Sequence, residues 1–570
     1  METPSACSPR AAFRRGRRRL LLLAAACLAA YVLASWVLPC RAAFGPDGYL
    51  YSFAVIPDEF AYACRIQPLV AGATATNPVN RFHDPAVVSP FFLDDLVRRA
   101  LTVTGLPTPW MYWVWRFAFP FVLAAAVWVT AGGCLARRRP WSVPLRCAAT
   151  LGGTGALCLI SHLAKGDAPI AVYLYRIPTN VEYPLAFLLT WAWLRLALGP
   201  SVRAGVVLAA LGALLVYLRP YAVIAWGPAI TLYMLYRIGM RTLPHRVWLV
   251  TAGTLVALLL PWLAIAWHNS QAPVYAEMYA RFYSHWPYQV HSRWALHLGA
   301  ALLLAALCWR ASGERRAVLA CMAVTAAALP FISGLFREAQ ELLLFERYGS
   351  FYSVALVAGA LLVLDESLRR RRGQRAGLFA RRAAEACLVL CLGSCGAVAL
   401  WHSRFDFRHY AWNQMWSLYE DRKYIPAYKW IAQNTPADAL FLVDDGIDWS
   451  VVPPSDPVVI SHYDPDGAEL YLRADHFQLI ARRQRVFNEW LWAFAIHDRE
   501  YVALAALQRG TFGYPIPIMD YKACLKRYKP DYVFWRLKAP VPRGYGKLFT
   551  AMREEVYSDA VCEIWRLNYR

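Results

Sequence analysis

Long apolar runs without charge, separated by short arginine clusters, are the feature that most restricts how this chain can fold. The first run, from Leu20 to Cys40, contains no charged residue and follows five arginines between positions 14 and 19. A helix needs about 20 apolar residues to cross a hydrocarbon core of about 30 Å. Because 58% of the residues are hydrophobic and only 17% are charged, the sequence excludes a water-soluble protein and predicts a polytopic membrane protein.

Eleven runs are predicted to span the membrane. The first could also be a long signal peptide, and either interpretation leaves the next segment outside. The runs that begin at Tyr183 and Ala204 are short, so one of them could be re-entrant instead of spanning. The runs are 20–40, 112–135, 147–164, 183–197, 204–218, 220–236, 247–267, 294–309, 317–336, 348–364 and 386–401.

The distribution of arginine orients these spans. Cytoplasmic connections of membrane proteins carry an excess of Lys and Arg, and the large basic clusters here fall on alternate connections. We therefore expect a cytoplasmic N-terminus and, after an odd number of spans, a C-terminus on the periplasmic side of a bacterial inner membrane. The net charge of +22 then reports orientation and not a nucleic-acid partner. The clusters are 137–139; Arg237, Arg241 and Arg246; Arg310, Arg315 and Arg316; and 369–372 with Arg375, Arg381 and Arg382.

Two large parts are predicted to face outward, namely a first loop at 41–111 and a C-terminal domain at 404–570. Residues 1–403 would form an all-α polytopic membrane domain of about eleven transmembrane helices that includes the first loop. In the C-terminal part, short β-branched or aromatic runs predict strands, and helical spacing predicts helices between them, so a small α/β extracytoplasmic domain is expected. The predicted strands are 439–443, 457–460, 532–535 and 561–565, and the predicted helices are 425–433, 500–508 and 521–528.

The adjacent carboxylates Asp58 and Glu59 are the sharpest chemical signal. They follow the first predicted span, within the apolar and aromatic segment 56–65. Repulsion between two acids in such surroundings favours a cationic partner or a protonated carboxyl group, and both suit proton abstraction. Helical spacing would place Glu59, Tyr62 and Arg65 near one face. An ordinary solvated turn would contain the same acids, so the pattern by itself leaves both interpretations open.

This motif resembles that of membrane glycosyltransferases of the GT-C fold class, those that use polyprenyl-phosphate sugars, such as glycosyltransferase family 39. The resemblance is carried by the Asp-Glu pair in the first outward loop and by Glu346-Arg347-Tyr348 just before a late span. The C-terminal domain is similar at 428–436 with the strand that follows. It is also similar at 528–533, and at Val556-Tyr557 leading into 562–567. The resemblance covers the topology of the whole chain and implies a GT-C-like fold.

The resemblance also implies roles for individual residues. Asp58 is expected to be the base for the acceptor hydroxyl, with Glu59 as a second base or as a ligand of a metal or the acceptor. The departing lipid phosphate requires cations at the outer surface, and arginines at outward positions oppose the positive-inside trend. The expected phosphate ligands are Arg65, Arg81, Arg176, Arg219 and Arg347, and the expected substrate ligands are Tyr62, His83, Asp84 and Tyr348.

Several of these residues have an ordinary alternative. Arg219 could reach the lipid headgroups by snorkelling, Arg347 could form an interfacial ion pair with Glu346, and His83 with Asp84 could be solvated surface. Cysteine pairs on the outer side could form disulfides. These pairs are Cys40 with Cys64 and Cys524 with Cys562.

The predicted function is transfer of a hexosyl or pentosyl group from a polyprenyl-phosphate donor to an acceptor at the outer face. The acceptor could be a glycan, a lipid or a protein, and Mg²⁺ or Mn²⁺ could bind the paired carboxylates. Two alternatives lack this chemistry. A flippase for a lipid-linked sugar would carry charges in mid-span and two related halves, and a surface-polysaccharide polymerase or ligase would place its largest outward loop late between spans.

Overall fold

The structure is a computed structural model in which part of the chain is described. The described residues are 66–67, 70–72, 92–105, 108–134, 150, 181–219, 222–271, 290–335, 345–370, 422–444, 477–478, 480–486, 507, 511–512, 518–536 and 553–569. The predicted spans 20–40 and 386–401, and all of 147–164 except residue 150, lie outside these residues.

Each of the eight predicted spans within the described residues forms one helix. A shorter helix, α1 (Phe92–Thr104), precedes them in the first predicted outward loop. The eight helices are α2 (Thr108–Cys134), α3 (Glu182–Leu198), α4 (Val202–Leu218), α5 (Ala222–Gly239), α6 (His245–Ser270), α7 (Val290–Arg310), α8 (Gly313–Leu335) and α9 (Phe345–Arg370).

The two short runs form an antiparallel helix pair. Helices α3 and α4 have 17 residues each, which corresponds to a length of about 26 Å. Glu182 at the start of α3 contacts Arg219 immediately after α4, so the chain runs the full length of the pair and returns. Two spanning helices and a re-entrant hairpin both return to the end at which they begin, so the re-entrant alternative stays a prediction.

The bundle buries aromatic side chains inside and leaves apolar side chains exposed outside. Trp193, Trp226 and Tyr352 are fully buried. On the outer surface of α7, Leu302 is 70% exposed and Trp309 is 83% exposed. Large exposed apolar surfaces of this kind are uncommon on soluble monomers and are typical of surfaces that face a partner or a lipid.

Length and hydropathy single out one helix of the described residues as able to cross a membrane. This helix covers 245–268, with a mean hydropathy of 2.1. Shorter apolar helical stretches occur at Phe121–Gly132, Val202–Leu218, His297–Arg310 and Ser350–Val363. The count of eleven spans stays a prediction.

Contacts between helix termini define two opposite ends of the bundle. At one end, Arg237 of α5 donates to the carbonyl oxygen of Ala197 near the C-terminus of α3 and contacts Glu314 in the first turn of α8. We call this the arginine-rich end, because basic residues of two connections that were predicted to be cytoplasmic belong to it. These residues are Arg237, Arg241, Arg246, Arg310, Arg315 and Arg316.

The other end holds the start of α3, the end of α4 and the start of α9. Glu182 contacts Arg219 and Ser350 there, and we call it the Glu182 end. Asp365, near the C-terminus of α9, pairs with Arg315 at the arginine-rich end. Helix α9 therefore runs from the Glu182 end to the arginine-rich end.

Helices α4 and α6 lie close together near the arginine-rich end. A Cβ atom built on Gly205 would lie 2.0 Å from Oγ1 of Thr251, so the absence of a side chain permits this approach. Toward the Glu182 end, the hydroxyl of Tyr217 donates to the carbonyl oxygen of Leu258 across 3.0 Å. At this end the printed contact between the two helices is made by a long side chain instead of by close backbones.

The C-terminal region contains a five-stranded mixed sheet in the order β2-β1-β3-β5-β4. Strand β1 is parallel to β2 and β3, whereas β5 is antiparallel to β3 and β4. The buried rings of Tyr428 and Phe534 pack against each other and join helix α10 to the sheet. The elements are α10 (Ile425–Asn434), β1 (Leu440–Val443), β2 (Gln484–Arg485), α11 (Ile518–Tyr528), β3 (Tyr532–Arg536), β4 (Arg553–Ser558) and β5 (Cys562–Leu567).

Three predicted strands and two predicted helices of this region are confirmed, as β1, β3, β5, α10 and α11. The predicted strand 457–460, and 500–508 except residue 507, lie outside the described residues. Strands β2 and β4 were not predicted. Strand β4 begins with three exposed charged residues, Arg553, Glu554 and Glu555, which is typical of an edge strand but gives no apolar signal.

The turn between β4 and β5 is closed by Asp559. Its carboxylate accepts hydrogen bonds from the backbone N–H groups of Val561 and Cys562 and from the hydroxyl of Tyr557. Burial alone would raise the pKa of Asp559, but these hydrogen bonds outweigh burial and lower it. Cys562 is a buried free thiol whose pKa is raised by burial, so the possible disulfide with Cys524 is absent. Cys40 and Cys64 lie outside the described residues.

Contacts divide the chain into two compact units. One comprises Met1–Phe44, Trp113–Leu260 and Pro287–Arg408. The other comprises Gly45–Tyr112, Pro261–Trp286 and His409–Arg570. The second unit therefore combines the C-terminal sheet with the first predicted outward loop and with residues 261–286.

Candidate functional site

Three of the sequence-predicted site residues lie within described elements. Arg219 follows α4 directly, and Arg347 and Tyr348 belong to the first turn of α9. The others, including the proposed base Asp58, lie outside the described residues. These are Asp58, Glu59, Tyr62, Arg65, Arg81, His83, Asp84 and Arg176.

Arg219 ends α4 and turns the chain toward α5. Its backbone N–H donates to the carbonyl oxygen of Leu215 over 2.7 Å, and its own carbonyl oxygen accepts from the N–H of Ala222 over 3.0 Å. Both bonds hold the backbone of Arg219 in place between two helices. The side chain is 14% exposed, and its Nε lies 3.2 Å from Oε2 of Glu182. Arg219 is therefore held at both its backbone and its side chain.

Glu182 lies at the centre of this contact. It is the first residue of α3, and its side chain is 3% exposed. One carboxylate oxygen accepts from Nε of Arg219, and the other accepts from the hydroxyl of Ser350 on α9. The carboxylate thereby joins α3, the end of α4 and α9.

The helix ends explain part of why these charges are tolerated. A carboxylate in the first turn of a helix and a cation after the last turn both interact favourably with the helix dipole, and Glu182 and Arg219 occupy these two positions. Removal of two charges from water nevertheless costs several kcal/mol per ion, so a buried pair is weak evidence of added stability.

The first turn of α9 brings two predicted residues to the same end of the bundle. Arg347 precedes Ser350 by three residues, and Tyr348 precedes it by two. Since Ser350 contacts Glu182, the start of α9 lies beside the starting residue of α3. The Glu182 end therefore combines Arg219 with the helical turn that carries Arg347.

A second buried polar contact lies in the same half of the bundle. Nδ1 of His297 on α7 lies 2.5 Å from the hydroxyl of Tyr352 on α9, and the hydroxyl lies 3.3 Å from the carbonyl oxygen of Ala326 on α8. When Nδ1 carries a proton, it donates to the hydroxyl and the hydroxyl donates to Ala326; when Nδ1 carries none, the hydroxyl can donate to either acceptor. The contact connects three helices two residues beyond Ser350.

The arginine-rich end contains its own ion pairs. Nη1 of Arg237 lies 2.7 Å from Oε2 of Glu314 and 2.8 Å from the hydroxyl of Tyr233. Nε and Nη2 of Arg237 donate to Oγ1 and the carbonyl oxygen of Thr242. The guanidinium thus bonds to groups near the ends of α3, α5 and α8 and to the loop before α6, which is the arrangement of a structural anchor.

No group of three or more His, Cys, Asp or Glu residues that could hold a metal ion occurs within the described ranges. The carboxylate pair that was predicted as a possible ligand for Mg²⁺ or Mn²⁺, Asp58 with Glu59, lies outside them. Metal dependence therefore stays a prediction that these residues do not test.

Sequence reasoning missed Glu182, Ser350, His297 and Tyr352. Two of them carried a usable signal. Glu182 immediately precedes the predicted span 183–197, and His297 lies inside the predicted span 294–309. An ionisable residue in or beside a predicted span is uncommon and indicates a functional or paired group. Ser350 and Tyr352 had no such signal, because hydroxyl side chains are common in apolar helices.

No family model matches the sequence, and no curated protein matches it. Among solved structures, the chain is similar to the one described as the crystal structure of ArnT from Cupriavidus metallidurans bound to undecaprenyl phosphate. The match has a TM-score of 0.44 at 15% sequence identity and covers 94% of this chain and 97% of that one. A TM-score at this level does not show a shared fold, so the function is inferred from this chain's own residues.

Proposed function

We propose that this protein is a glycosyltransferase of the bacterial inner membrane, with a GT-C-like fold, that transfers one sugar from a polyprenyl-phosphate donor to an acceptor at the outer face. The observation that carries the proposal is the position of Arg219. This arginine lies at the end of the bundle opposite the arginine-rich end, together with the helical turn that contains Arg347. Cations opposite the positive side of a membrane protein require a reason, and an anionic lipid phosphate supplies one.

The orientation in this proposal follows from the arginine-rich end. Basic residues of two predicted cytoplasmic connections share that end, which supports its placement in the cytoplasm. The Glu182 end then faces the periplasm, where the C-terminal domain is also proposed to lie. The exposed apolar side chains on α7, such as Leu302, support contact with lipid.

The proposed reaction is a single displacement that inverts the anomeric carbon. Asp58 accepts the proton of the acceptor hydroxyl as the acceptor oxygen bonds to the anomeric carbon. The bond from that carbon to the phosphate oxygen breaks, and the phosphate leaves with the electron pair. Arginine guanidinium groups, including those of Arg219 and Arg347, stabilise the charge that develops on the phosphate.

The sequence resemblance is what assigns the base. Asp58 follows the first predicted span, as the catalytic carboxylate does in the enzymes that this motif resembles, and Glu59 would assist as a second base or as a ligand. The expected additional contacts to phosphate and substrate come from the first outward loop and the segment before α3. These residues are Arg65, Arg81, Arg176, Tyr62, His83, Asp84 and, on α9, Tyr348.

Asp58→Asn tests the proposed chemistry. Purified protein is given labelled polyprenyl-phosphate sugars and candidate acceptors, with and without a chelator, and transfer is measured by release of the lipid phosphate. We expect wild-type protein to transfer sugar, and Asp58→Asn to lower kcat by a factor on the order of a hundred or more while still inserting in the membrane, since loss of a general base costs about this much. Glu554→Gln, on the exposed strand β4, is the matched control and should keep full activity.

The same assay separates the proposal from transport. A flippase would move the labelled lipid across proteoliposomes without breaking the sugar–phosphate bond. Normal transfer by Asp58→Asn, or translocation without phosphate release by wild-type protein, would contradict the proposed function.

A further inference from the structure

We propose that Glu182 is a positioning residue, whose buried carboxylate holds the guanidinium of Arg219 in place for the phosphate of a lipid-linked donor. This inference rests on the proposed function and adds to it a residue that the sequence motif does not contain. The carboxylate contacts Nε of Arg219 at 3.2 Å and accepts a second hydrogen bond from Ser350. Glu182 therefore acts on the donor through Arg219 and does not itself contact it.

The exposure of the two partners supports this division of roles. The side chain of Glu182 is 3% exposed, whereas that of Arg219 is 14% exposed. The side chain of Glu182 is thus the more buried member of the pair, and that of Arg219 is the less buried one. A guanidinium has five N–H donors in a fixed plane, so a bond to Nε sets the direction of the whole group.

Ser350 connects this pair to the second predicted phosphate ligand. It donates to the carboxylate of Glu182 and lies one helical turn after Arg347 on α9. A single carboxylate thereby fixes the end of α4, which carries Arg219, relative to the start of α9, which carries Arg347. Two cations on different helices need such a connection if they are to bind one phosphate, because misplacement by about 1 Å can cost a hundredfold in rate.

A charge-neutral substitution tests the inference. Glu182→Gln keeps the size of the side chain and removes its charge, and charge-assisted hydrogen bonds are about twice as strong as neutral ones. We expect the Kd for undecaprenyl phosphate measured in nanodiscs to rise about tenfold, which corresponds to about 1.4 kcal/mol. We expect kcat/KM for the polyprenyl-phosphate sugar to fall by at least as much, because Arg219 also stabilises the charge that develops on the phosphate. Glu314→Gln makes the same change in the ion pair of the arginine-rich end and should leave both constants near their wild-type values.

A combined variant distinguishes positioning from a structural role. If Glu182 acts through Arg219, Glu182→Gln should weaken lipid-phosphate binding in the wild-type background and add nothing in the Arg219→Gln background. An equal effect in both backgrounds, or an unchanged Kd for Glu182→Gln, would overturn the inference. If Glu182→Gln does not insert stably, Ser350→Ala replaces it, with an expected rise of about threefold in Kd for loss of one hydrogen bond.

The two proposals can fail separately. Wild-type protein that binds undecaprenyl phosphate but transfers no sugar would contradict the proposed function, and the binding measurements would still decide the role of Glu182. Wild-type protein that transfers sugar, with Glu182→Gln indistinguishable from it, would contradict the positioning role alone.

Discussion

Both ends of the helical bundle contain an arginine paired with a glutamate, but the buried partner is reversed between them. At the arginine-rich end, the side chain of Arg237 is 6% exposed and that of Glu314 is 36% exposed. At the Glu182 end, the carboxylate is the buried partner, and Arg219 is the more exposed one. The glutamate is thus the more exposed partner of the pair at the arginine-rich end, and the arginine is the more exposed partner at the Glu182 end.

This reversal separates anchoring from binding. Arg237 bonds to Ala197, Tyr233, Thr242 and Glu314, so its donors are used within the protein. Its end of the bundle is also the one at which the positive-inside rule already accounts for arginine. At the Glu182 end that rule does not account for Arg219, which pairs with a more buried carboxylate. Under the proposed function, the position of the anion, and not the presence of an ion pair, distinguishes the end that binds the lipid phosphate.

The largest predicted effect is on the side of the membrane from which each end can be labelled, because a position is either accessible from that side or not. Arg203→Cys places a thiol at the exposed start of α4, at the arginine-rich end, and Glu554→Cys places one on β4 of the C-terminal domain. We expect a membrane-impermeant maleimide to label the first only in inside-out vesicles and the second only in right-side-out vesicles, relative to the parent protein. Labelling of both variants in the same vesicles would contradict the proposed orientation.

The ion pairs of the arginine-rich end should contribute the largest stability effect. Arg315 and Asp365 are 6% and 5% exposed, with Nη1 and Oδ2 2.5 Å apart. Arg315→Ala leaves the carboxylate of Asp365 buried, so we expect the free energy of unfolding in detergent to fall by about 3–5 kcal/mol. The Kd for undecaprenyl phosphate should not change in the fraction that remains folded.

The control for this substitution is Arg241→Ala, at an exposed position of the same end. Its effect on unfolding should stay within about 0.5 kcal/mol. If Arg315→Ala lost no more stability than Arg241→Ala, the arginine-rich end would not be an anchor, and the contrast between the two ends would disappear.

The sequence predicted where the helices lie much better than it predicted which residues of different helices contact each other. Uncharged runs bounded by arginine or proline define where a helix can lie, so all eight spans within the described residues form helices. The contact between Glu182 and Ser350 joins residues 168 positions apart, and no local pattern encodes such a pairing. Arg219 was found because it breaks the charge trend, but its carboxylate partner was not, because Glu182 stands one residue outside the apolar run.

The C-terminal domain shows the same limit. Strands β1, β3 and β5 were predicted from buried apolar runs, whereas β2 consists of Gln484 and Arg485, which are buried yet polar. A short polar strand gives no hydrophobic pattern, and only its parallel pairing with β1 identifies it. The sequence therefore predicts strands that have buried apolar side chains. It does not predict strands that form only because they pair with a distant part of the chain.

A smaller effect is expected from a substitution at the close approach of α4 and α6 near the arginine-rich end. Gly205→Ala would place a methyl group 2.0 Å from Oγ1 of Thr251, whose hydroxyl donates to the carbonyl oxygen of Val247. Thr251 is β-branched and has few rotamers, so the helices must separate. We expect a loss of about 1–3 kcal/mol in the free energy of unfolding.

Gly212→Ala is the matched control for this change on the same helix. A Cβ atom at Gly212 would meet Leu255 at 3.7 Å and Leu189 at 3.9 Å, which are ordinary contacts. Because alanine favours a helix over glycine by up to about 1 kcal/mol, this variant should be as stable as the wild type or slightly more so. Equal losses for both variants would show that the close approach is not confined to the arginine-rich end.

The smallest predicted effect concerns the same helix pair at the other end. Tyr217→Phe removes the hydroxyl that donates to the carbonyl oxygen of Leu258 and keeps the ring. Hydrogen bonds between membrane helices contribute about 0.6 kcal/mol on average, so the free energy of unfolding in detergent should change by about that amount. Tyr217→Ala should cost more, because it also removes the contacts of the half-buried ring. If Tyr217→Phe cost as much as Gly205→Ala, a single hydrogen bond at the Glu182 end would contribute as much as the close packing at the arginine-rich end, and the two ends of this helix pair would not differ in stability.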